Sequence, residues 1–251
     1  MVIKMDSSRG MNSATPRSGL DAQHPIKNSL AAYDQKYEGG YGLQYPDGHI
    51  IRIFERILKY ELGVTTGNLL DFGCGNGVHS KYFMSKGFQC YGVDIAKEAI
   101  CQAKTFMHEK AVLIKPNQSL KEIFQPDYFD VVLANQSLYY MDDADMSNCI
   151  KELYTFTKPG GICIFTMMSA RNCYNGLIEE TYDNGLSKVV LRNRLTETTY
   201  INFIENEEHL KSKFSPFQML RIGYYDFGFI SEDPEEGSSH HFIFIGKKEK
   251  V

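Results

Sequence analysis

Apolar residues recur along this chain with two periods. Between Pro46 and Gly63, Ile50, Phe54, Ile57 and Leu58 fall on one face at helical spacing, and Asp47 in front of them has the short acceptor side chain of an N-cap. The run Leu69-Leu70-Asp71-Phe72 predicts a buried first strand, and a helix follows from about Val78 to Lys86, stopped at Gly87. Phe88 to Val93 predicts a second strand. The next helix runs from about Ala96 to His108 and buries Ala99, Ile100, Ala103 and Phe106 or Met107. Ala111 to Ile114 predicts a short third strand, and Tyr128 to Asn135 a fourth. Asp142 or Asp143 caps a helix with Met146, Cys149, Ile150, Leu153 and Tyr154 on its apolar face. A Lys158-Pro159-Gly160-Gly161 turn then leads into a fifth strand, Ile162 to Met167.

The pattern changes after that. Residues 169–205 are less regular: Tyr174 to Asn184 reads as a short helix, and Lys188 to Arg192 and Thr198 to Ile204 alternate like two strands. Asn206 caps a helix that carries Glu207 and Glu208 in its first turn and Lys211 and Lys213 near its end, as the helix dipole favours. Phe217 to Phe229 and His240 to Gly246 predict an antiparallel hairpin around a polar loop.

Length and composition narrow the class. At 251 residues the chain suffices for one large α/β domain. Apolar residues make up 43% and charged residues 23%, as in an ordinary globular protein, and the formal net charge of −4 disfavours a nucleic-acid partner. No apolar run is long enough for a membrane helix, so no membrane partner is expected. Residues 1–28 lack the apolar core of a signal peptide and are expected to form a flexible segment. The six cysteines (74, 90, 101, 149, 163 and 173) form no C-x-x-C pair, which argues for a reducing, cytoplasmic setting and against a disulfide framework or a metal site.

The chemistry gathers at Asp71-Phe72-Gly73-Cys74-Gly75-Asn76-Gly77. A strand, a glycine turn and a helix bring backbone close to a bound nucleotide or nucleoside, since no side chain intervenes. The spacing is G-x-G-x-G, not the G-x-G-x-x-G of dinucleotide sites, which disfavours a nicotinamide dehydrogenase. Seventeen residues after Gly77 the second strand ends at Asp94, where an acid can accept both hydroxyls of a ribose. Residues 29–46 carry tyrosines among glycines, a composition suited to a lid; Tyr37, Tyr41, Gln44 and Tyr45 are its candidate contacts to substrate.

The glycine turn, the acid before it and the distal Asp94 resemble the class I S-adenosylmethionine-dependent methyltransferases. The resemblance covers roughly residues 65–170 and includes Asp130 and Asn135 around the fourth strand and the Lys158–Gly161 turn. It implies a doubly wound, Rossmann-like α/β fold with a mostly parallel seven-stranded sheet and an antiparallel last strand. The whole of residues 29–251 would be one domain, with a substrate-recognition insertion at about 169–205. It implies S-adenosylmethionine as cofactor, held by Asp71, Gly73, Gly75, Gly77, Asp94, Ile95 and Asn135, with Asn117 or Gln118 beside the adenine. The Asn-Pro-Pro-aromatic signature of enzymes that methylate bases or glutamine is broken here, where Asn135 is followed by Gln136-Ser137. An antiparallel last strand begins at the edge where ligands bind, which brings His240 and His241 forward as candidate bases, one of them facing the site, with Tyr139 as the next candidate. A nearby imidazole favours O-methylation of a small-molecule hydroxyl, such as a sugar or metabolite. The alternatives are methylation of a protein or nucleic-acid group, and a module that binds S-adenosylmethionine without turnover.

Overall fold

A computed structural model describes residues 37, 42, 44–193 and 197–250. The expected flexible segment 1–28 and most of the expected lid, Tyr41 included, lie outside the described residues.

Helix α1 starts at Gly48–Arg52 and continues through Ile53–Glu61 with a wider winding, as the amide of Leu62 reaching back to the carbonyl of Ile57 shows. Of the predicted apolar stripe Ile50, Phe54 and Leu58 are buried and Ile57 is partly so, but Asp47 makes no cap bond with its side chain. Strand β1 (Gly67–Phe72), helix α2 (Val78–Ser85), strand β2 (Phe88–Asp94), helix α3 (Lys97–Met107) and strand β3 (Ala111–Leu113) follow as two βα units. Then come β4 (Phe129–Ala134), α4 (Asp143–Phe156) and β5 (Thr157–Met168). Strands β6 (Ile178–Thr181), β7 (Ser187–Leu191) and β8 (Glu197–Ile201) precede helix α5 (Glu207–Lys213) and the closing pair β9 (Gln218–Tyr225) and β10 (His241–Lys247).

Seven strands make one sheet in the order β3-β2-β1-β4-β5-β10-β9. The first five are parallel, and β10 runs antiparallel to both β5 and β9. This is the doubly wound, mostly parallel sheet with an antiparallel last strand that the resemblance implied. Its central strands β1, β4, β5 and β10 are buried on both faces, which explains their continuous apolar runs. Leu69, Val131, Leu133, Ile164, Ile243 and Ile245 pack against α1, α2 and α3. Leu70, Val132, Ala134, Phe165, Phe242 and Phe244 pack on the opposite face with α4 and α5.

Three expectations are corrected. The stretch Tyr174 to Asn184 is no helix: a short 3₁₀ turn, Cys173–Leu177, runs into β6, and the left-handed Gly185 after Asn184 turns the chain into β7. An Asn-Gly pair is the turn chemistry of a hairpin, and it outweighs the helical reading of the residues before it. The Lys158–Gly161 turn is absorbed into β5, where it shifts the register against β4 between Phe129 and Val131. The ninth strand stops at Tyr225, short of the predicted Phe229.

Asp130, part of the motif around the fourth strand, has a structural task. It stands at the amino end of β4, and its carboxylate accepts from the backbone amide of Asn68 at 2.8 Å and from Lys158 Nζ at 2.8 Å on each oxygen. These bonds tie β1, β4 and β5 together at the edge away from the glycine turn. Asp130→Ala should lower stability by about 1–2 kcal/mol, since the pair is partly solvated while the amide of Asn68 loses its acceptor. Urea unfolding should show this loss with affinity for S-adenosylmethionine unchanged; a matching loss of affinity would place Asp130 in the site instead.

Candidate active site

The carboxyl ends of β1, β2, β3 and β4 surround a pocket of about 310 Å³. Its floor is the glycine turn. Gly73 and Gly75 have φ of +71° and +54°, and the amides of Gly73 and Cys74 donate to the carbonyl of Val93 at 2.8 and 3.0 Å. Positive φ is nearly free for glycine and costly for other residues, so the turn needs these residues. Asp94 locks the turn in place. Its Oδ2 accepts from the Gly75 amide and its Oδ1 from the Ala96 amide, both at 2.8 Å. Burial pushes the Asp94 carboxyl up, against the pull of these amides.

Ile95 lines the pocket beside Asp94, and the loop after β3 closes the next wall. Asn117 and Gln118 both line it, with their side chains already engaged: Asn117 Nδ2 donates to Asp145 at 2.8 Å, and Gln118 Oε1 accepts from the Lys115 amide at 2.9 Å. Glu152 of α4 holds this loop from behind through Ser119 Oγ at 2.6 Å and the Leu120 amide at 2.9 Å. Tyr140, Met141 and Cys149 give an apolar wall, and Tyr200 reaches it from β8. Tyr37 stands over the turn, close enough that a Cβ on Gly75 would meet its hydroxyl at 2.5 Å.

Other candidates lie elsewhere. Asp71 is buried beneath the turn, where it accepts from Ser80 Oγ at 2.7 Å and joins β1 to α2; it does not line the pocket. Gly77 is the N-cap of α2, packed against Phe106 and Ala103 of α3, and also lies off the pocket. Gln44 and Tyr45 are exposed and do not line it.

Asn135 leads to a second feature that no local motif announces. At the end of β4 its Nδ2 donates to Asp47 Oδ2 at 3.1 Å, and its Oδ1 accepts from Thr166 Oγ at 3.1 Å. His49 Nε2 lies 2.9 Å from the same Oδ1, and His79 Nε2 lies 3.2 Å from Asp47 Oδ2. Burial works to raise the Asp47 carboxyl, but His79, His49 and Asn135 outweigh it and hold it below the usual range. The His49 ring stacks on Tyr225 at 3.8 Å, and Tyr225 stacks on His241 at 4.9 Å, all nearly parallel. Tyr225 Oη accepts from Gln136 Nε2 at 2.9 Å, and Gln136 lines the pocket. Gln136 has a φ of +54°, an uncommon conformation for a residue with a side chain, and its amide donates to Thr166 Oγ at 2.7 Å.

Strand alternation sorts the two histidines at the start of β10. His241 enters the stack with Tyr225, its register partner across the sheet, and its ring lies 5.7 Å from that of Tyr139. Its Nδ1–H donates to the carbonyl of Ser239 at 2.6 Å, and burial pulls its pKa down to about 4. His240 turns away. It stacks on Tyr224 and meets Ser169 Oγ at 2.7 Å, and burial lowers its pKa too. Tyr139 is buried in the core on the α4 side of the sheet. Asp47, His49, His79, Thr166 and Tyr225 were not among the site residues expected from sequence. The faint signals were a histidine two residues after a helix-starting acid and a threonine inside an apolar strand.

Residues 70–165 match the family described as a methyltransferase domain. The chain is 27% identical over 111 residues to a ubiquinone biosynthesis O-methyltransferase of Pseudomonas fluorescens, an alignment covering 43% of this chain and 47% of that protein. It thus spans about half the length of that relative. It is 24% identical over 156 residues to an uncharacterized methyltransferase of Geobacillus kaustophilus, covering 61% of this chain and 71% of the other. Among solved structures it resembles the 1,6-didemethyltoxoflavin-N1-methyltransferase of Burkholderia thailandensis, with a TM-score of 0.59, 18% identity and 93% of each chain covered. That structure holds 1,6-didemethyltoxoflavin and S-adenosylhomocysteine, and the likeness to it is one of fold. Sheet order, glycine turn and family match agree: residues 70–165 match a methyltransferase domain, and the fold is the one found in S-adenosylmethionine-dependent methyltransferases.

Proposed function

We propose that this protein transfers a methyl group from S-adenosylmethionine to a hydroxyl of a small molecule. The pocket fits the cofactor: the turn leaves bare backbone where a side chain on Gly75 would collide with Tyr37, and Asp94 keeps lone pairs for two ribose hydroxyls. Gly73, Gly75, Asp94 and Ile95 would hold the nucleoside and its amino-acid arm, and the loop at Asn117 and Gln118 would flank the adenine. Bound there, the cofactor supplies an electrophilic methyl on a sulfonium that loses its charge on transfer. The protein's share is to align the acceptor, exclude water and remove a proton.

The observation that carries the hydroxyl reading is the stack of His49, Tyr225 and His241 beside Gln136. Burial lowers both imidazole pKa values, so at neutral pH they are uncharged and able to accept a proton. An alcohol or phenol needs such a group; a free amine or a carboxylate does not. The ubiquinone-pathway relative, named for transfer to oxygen, agrees. Tyr200 extends the second sheet to the pocket wall, which favours residues 169–205 as the acceptor-recognition insertion, and Tyr37 gives the segment before α1 a place over the cofactor.

The test incubates the protein with [methyl-14C]S-adenosylmethionine and a small-molecule metabolite extract. Label should enter an alkali-stable methyl ether. Label found in protein or nucleic acid instead, or in no fraction, would overturn the reading. In a companion thermal shift series, S-adenosylhomocysteine at a hundred times its dissociation constant should stabilise the protein by about 2.7 kcal/mol, with no shift from NAD.

A further inference from the structure

We propose that His49 is the base that deprotonates the acceptor, through Nδ1, and that Asn135 sets the tautomer that leaves this atom free. The inference rests on the methyltransferase reading above.

Asn135 has two distinguishable ends, and its partners identify each. An ionised carboxylate such as Asp47 only accepts, so the atom 3.1 Å from Asp47 Oδ2 is the amide nitrogen, and the other end is the carbonyl oxygen. That oxygen also takes the hydroxyl proton of Thr166, whose own oxygen accepts from the Gln136 amide. A carbonyl oxygen 2.9 Å from His49 Nε2 requires a proton on Nε2. A neutral imidazole carries one N–H, so Nδ1 holds the lone pair. His49 is half-buried, and its Nδ1 makes no hydrogen bond to any described residue.

His241 is the competing imidazole, and it is built the other way round. Its Nδ1–H is fixed on the Ser239 carbonyl, its Nε2 is buried, and the Tyr225 ring lies against it. Tyr225 thus has an imidazole stacked on it from α1 and another from β10, and only the α1 ring is partly open to solvent. His49 is also tied to the cofactor pocket by two routes. One runs through Asn135 to its neighbour Gln136, and the other through the Tyr225 hydroxyl to the Gln136 side chain.

The step balances. The acceptor O–H gives its proton to His49 Nδ1 as the oxygen forms a bond to the methyl carbon. The C–S bond breaks with its electron pair going to sulfur, which becomes a neutral thioether. The imidazolium then releases the proton to water. The Asp47 carboxylate, two residues away, favours that imidazolium, while the bond from Nε2 to Asn135 keeps the ring from turning.

The test has two arms. In the free protein, ¹⁵N NMR should show neutral His49 as the Nε2–H tautomer, shifting towards Nδ1–H in Asn135→Leu, where the carbonyl acceptor for Nε2–H is lost. With labelled S-adenosylmethionine and the metabolite extract, His49→Gln should cut turnover by about 10²–10⁴-fold with cofactor affinity unchanged by calorimetry. The acid limb of the turnover–pH profile should vanish with it. The other titratable groups packed around the ring are Asp47, His79, Tyr225 and His241, and His241→Asn should keep that limb in place. Parent-like turnover in His49→Gln, or an Nδ1–H tautomer in the parent, would overturn the assignment. A parent that transfers no label would count against the proposed function, and the tautomer would still decide the geometry of His49.

Discussion

Gly75→Val should abolish S-adenosylmethionine binding in isothermal titration, raising the dissociation constant at least a hundredfold, while the far-ultraviolet circular dichroism of the protein should stay that of the parent. Two costs combine. Gly75 sits at φ +54°, where a residue with a side chain loses about 1–2 kcal/mol and a β-branched one more. Its Cβ would also stand 2.5 Å from the Tyr37 hydroxyl, inside the pocket the cofactor must fill. The turn cannot yield to make room, because the Gly75 amide is held by Asp94 and the neighbouring amides of Gly73 and Cys74 by Val93. Gly73→Ala tests the same turn from the other side: its Cβ would lie 2.3 Å from Ser137 Cβ, and Ser137 is pinned to the Phe72 carbonyl. A Gly75→Val protein with the parent's affinity would show that this turn is not the cofactor loop.

Asp94→Ala should weaken cofactor binding by tenfold to a thousandfold. Charge-assisted hydrogen bonds are worth about 1.5–3 kcal/mol each, and two ribose hydroxyls would lose theirs, with some replacement by water. The same substitution frees the amides of Gly75 and Ala96 and loosens the turn. Asp94→Asn separates the two effects, since it keeps an acceptor for one amide but removes the charge; it should fall between parent and Asp94→Ala. Burial raises the Asp94 pKa, so the ionised form is lost, and affinity with it, at a higher pH than for a solvated aspartate as the solution is acidified. An unchanged dissociation constant for Asp94→Ala by calorimetry would remove the residue from the site.

What could be read from the chain follows from how local each feature is. The glycine turn and Asp94 were legible because they close over one βα unit, with every constraint within about twenty residues. The central strands were legible because burial on both faces turns them into continuous apolar runs. The hairpin at Asn184-Gly185 was missed although its turn residues were in plain view, because the residues before it carry helical spacing as well. The cluster around Asn135 was missed for a different reason. Asp47 with His49, His79, Thr166 and Tyr225 come from four places in the chain, and only the fold brings them together beside Asn135. Asp47 reads as an N-cap by every local rule, yet its carboxylate spends its bonds across the sheet on His79 and Asn135. Topology did carry one step of this: placing the start of an antiparallel strand beside the parallel strand ends brought His241 to the cluster, and alternation turned His240 to the other face.

The position of β10 has a consequence for how the protein comes into being on the ribosome. It is the last described strand to be synthesised and yet lies inside the sheet, between β5 and β9, with Phe242 and Phe244 filling one core and Ile243 and Ile245 the other. Every part of the cofactor pocket has left the peptidyl-transferase centre once Tyr200 is added, and the glycine turn and Asp94 well before that. At roughly 5–20 residues per second, His241 follows Asp94 by roughly 7–30 seconds. Until β10 is made, β5 and β9 lack their shared neighbour and the ring stack on Tyr225 lacks its inner half. The lining of the nucleoside pocket is therefore complete in the growing chain before the ring stack on Tyr225 is.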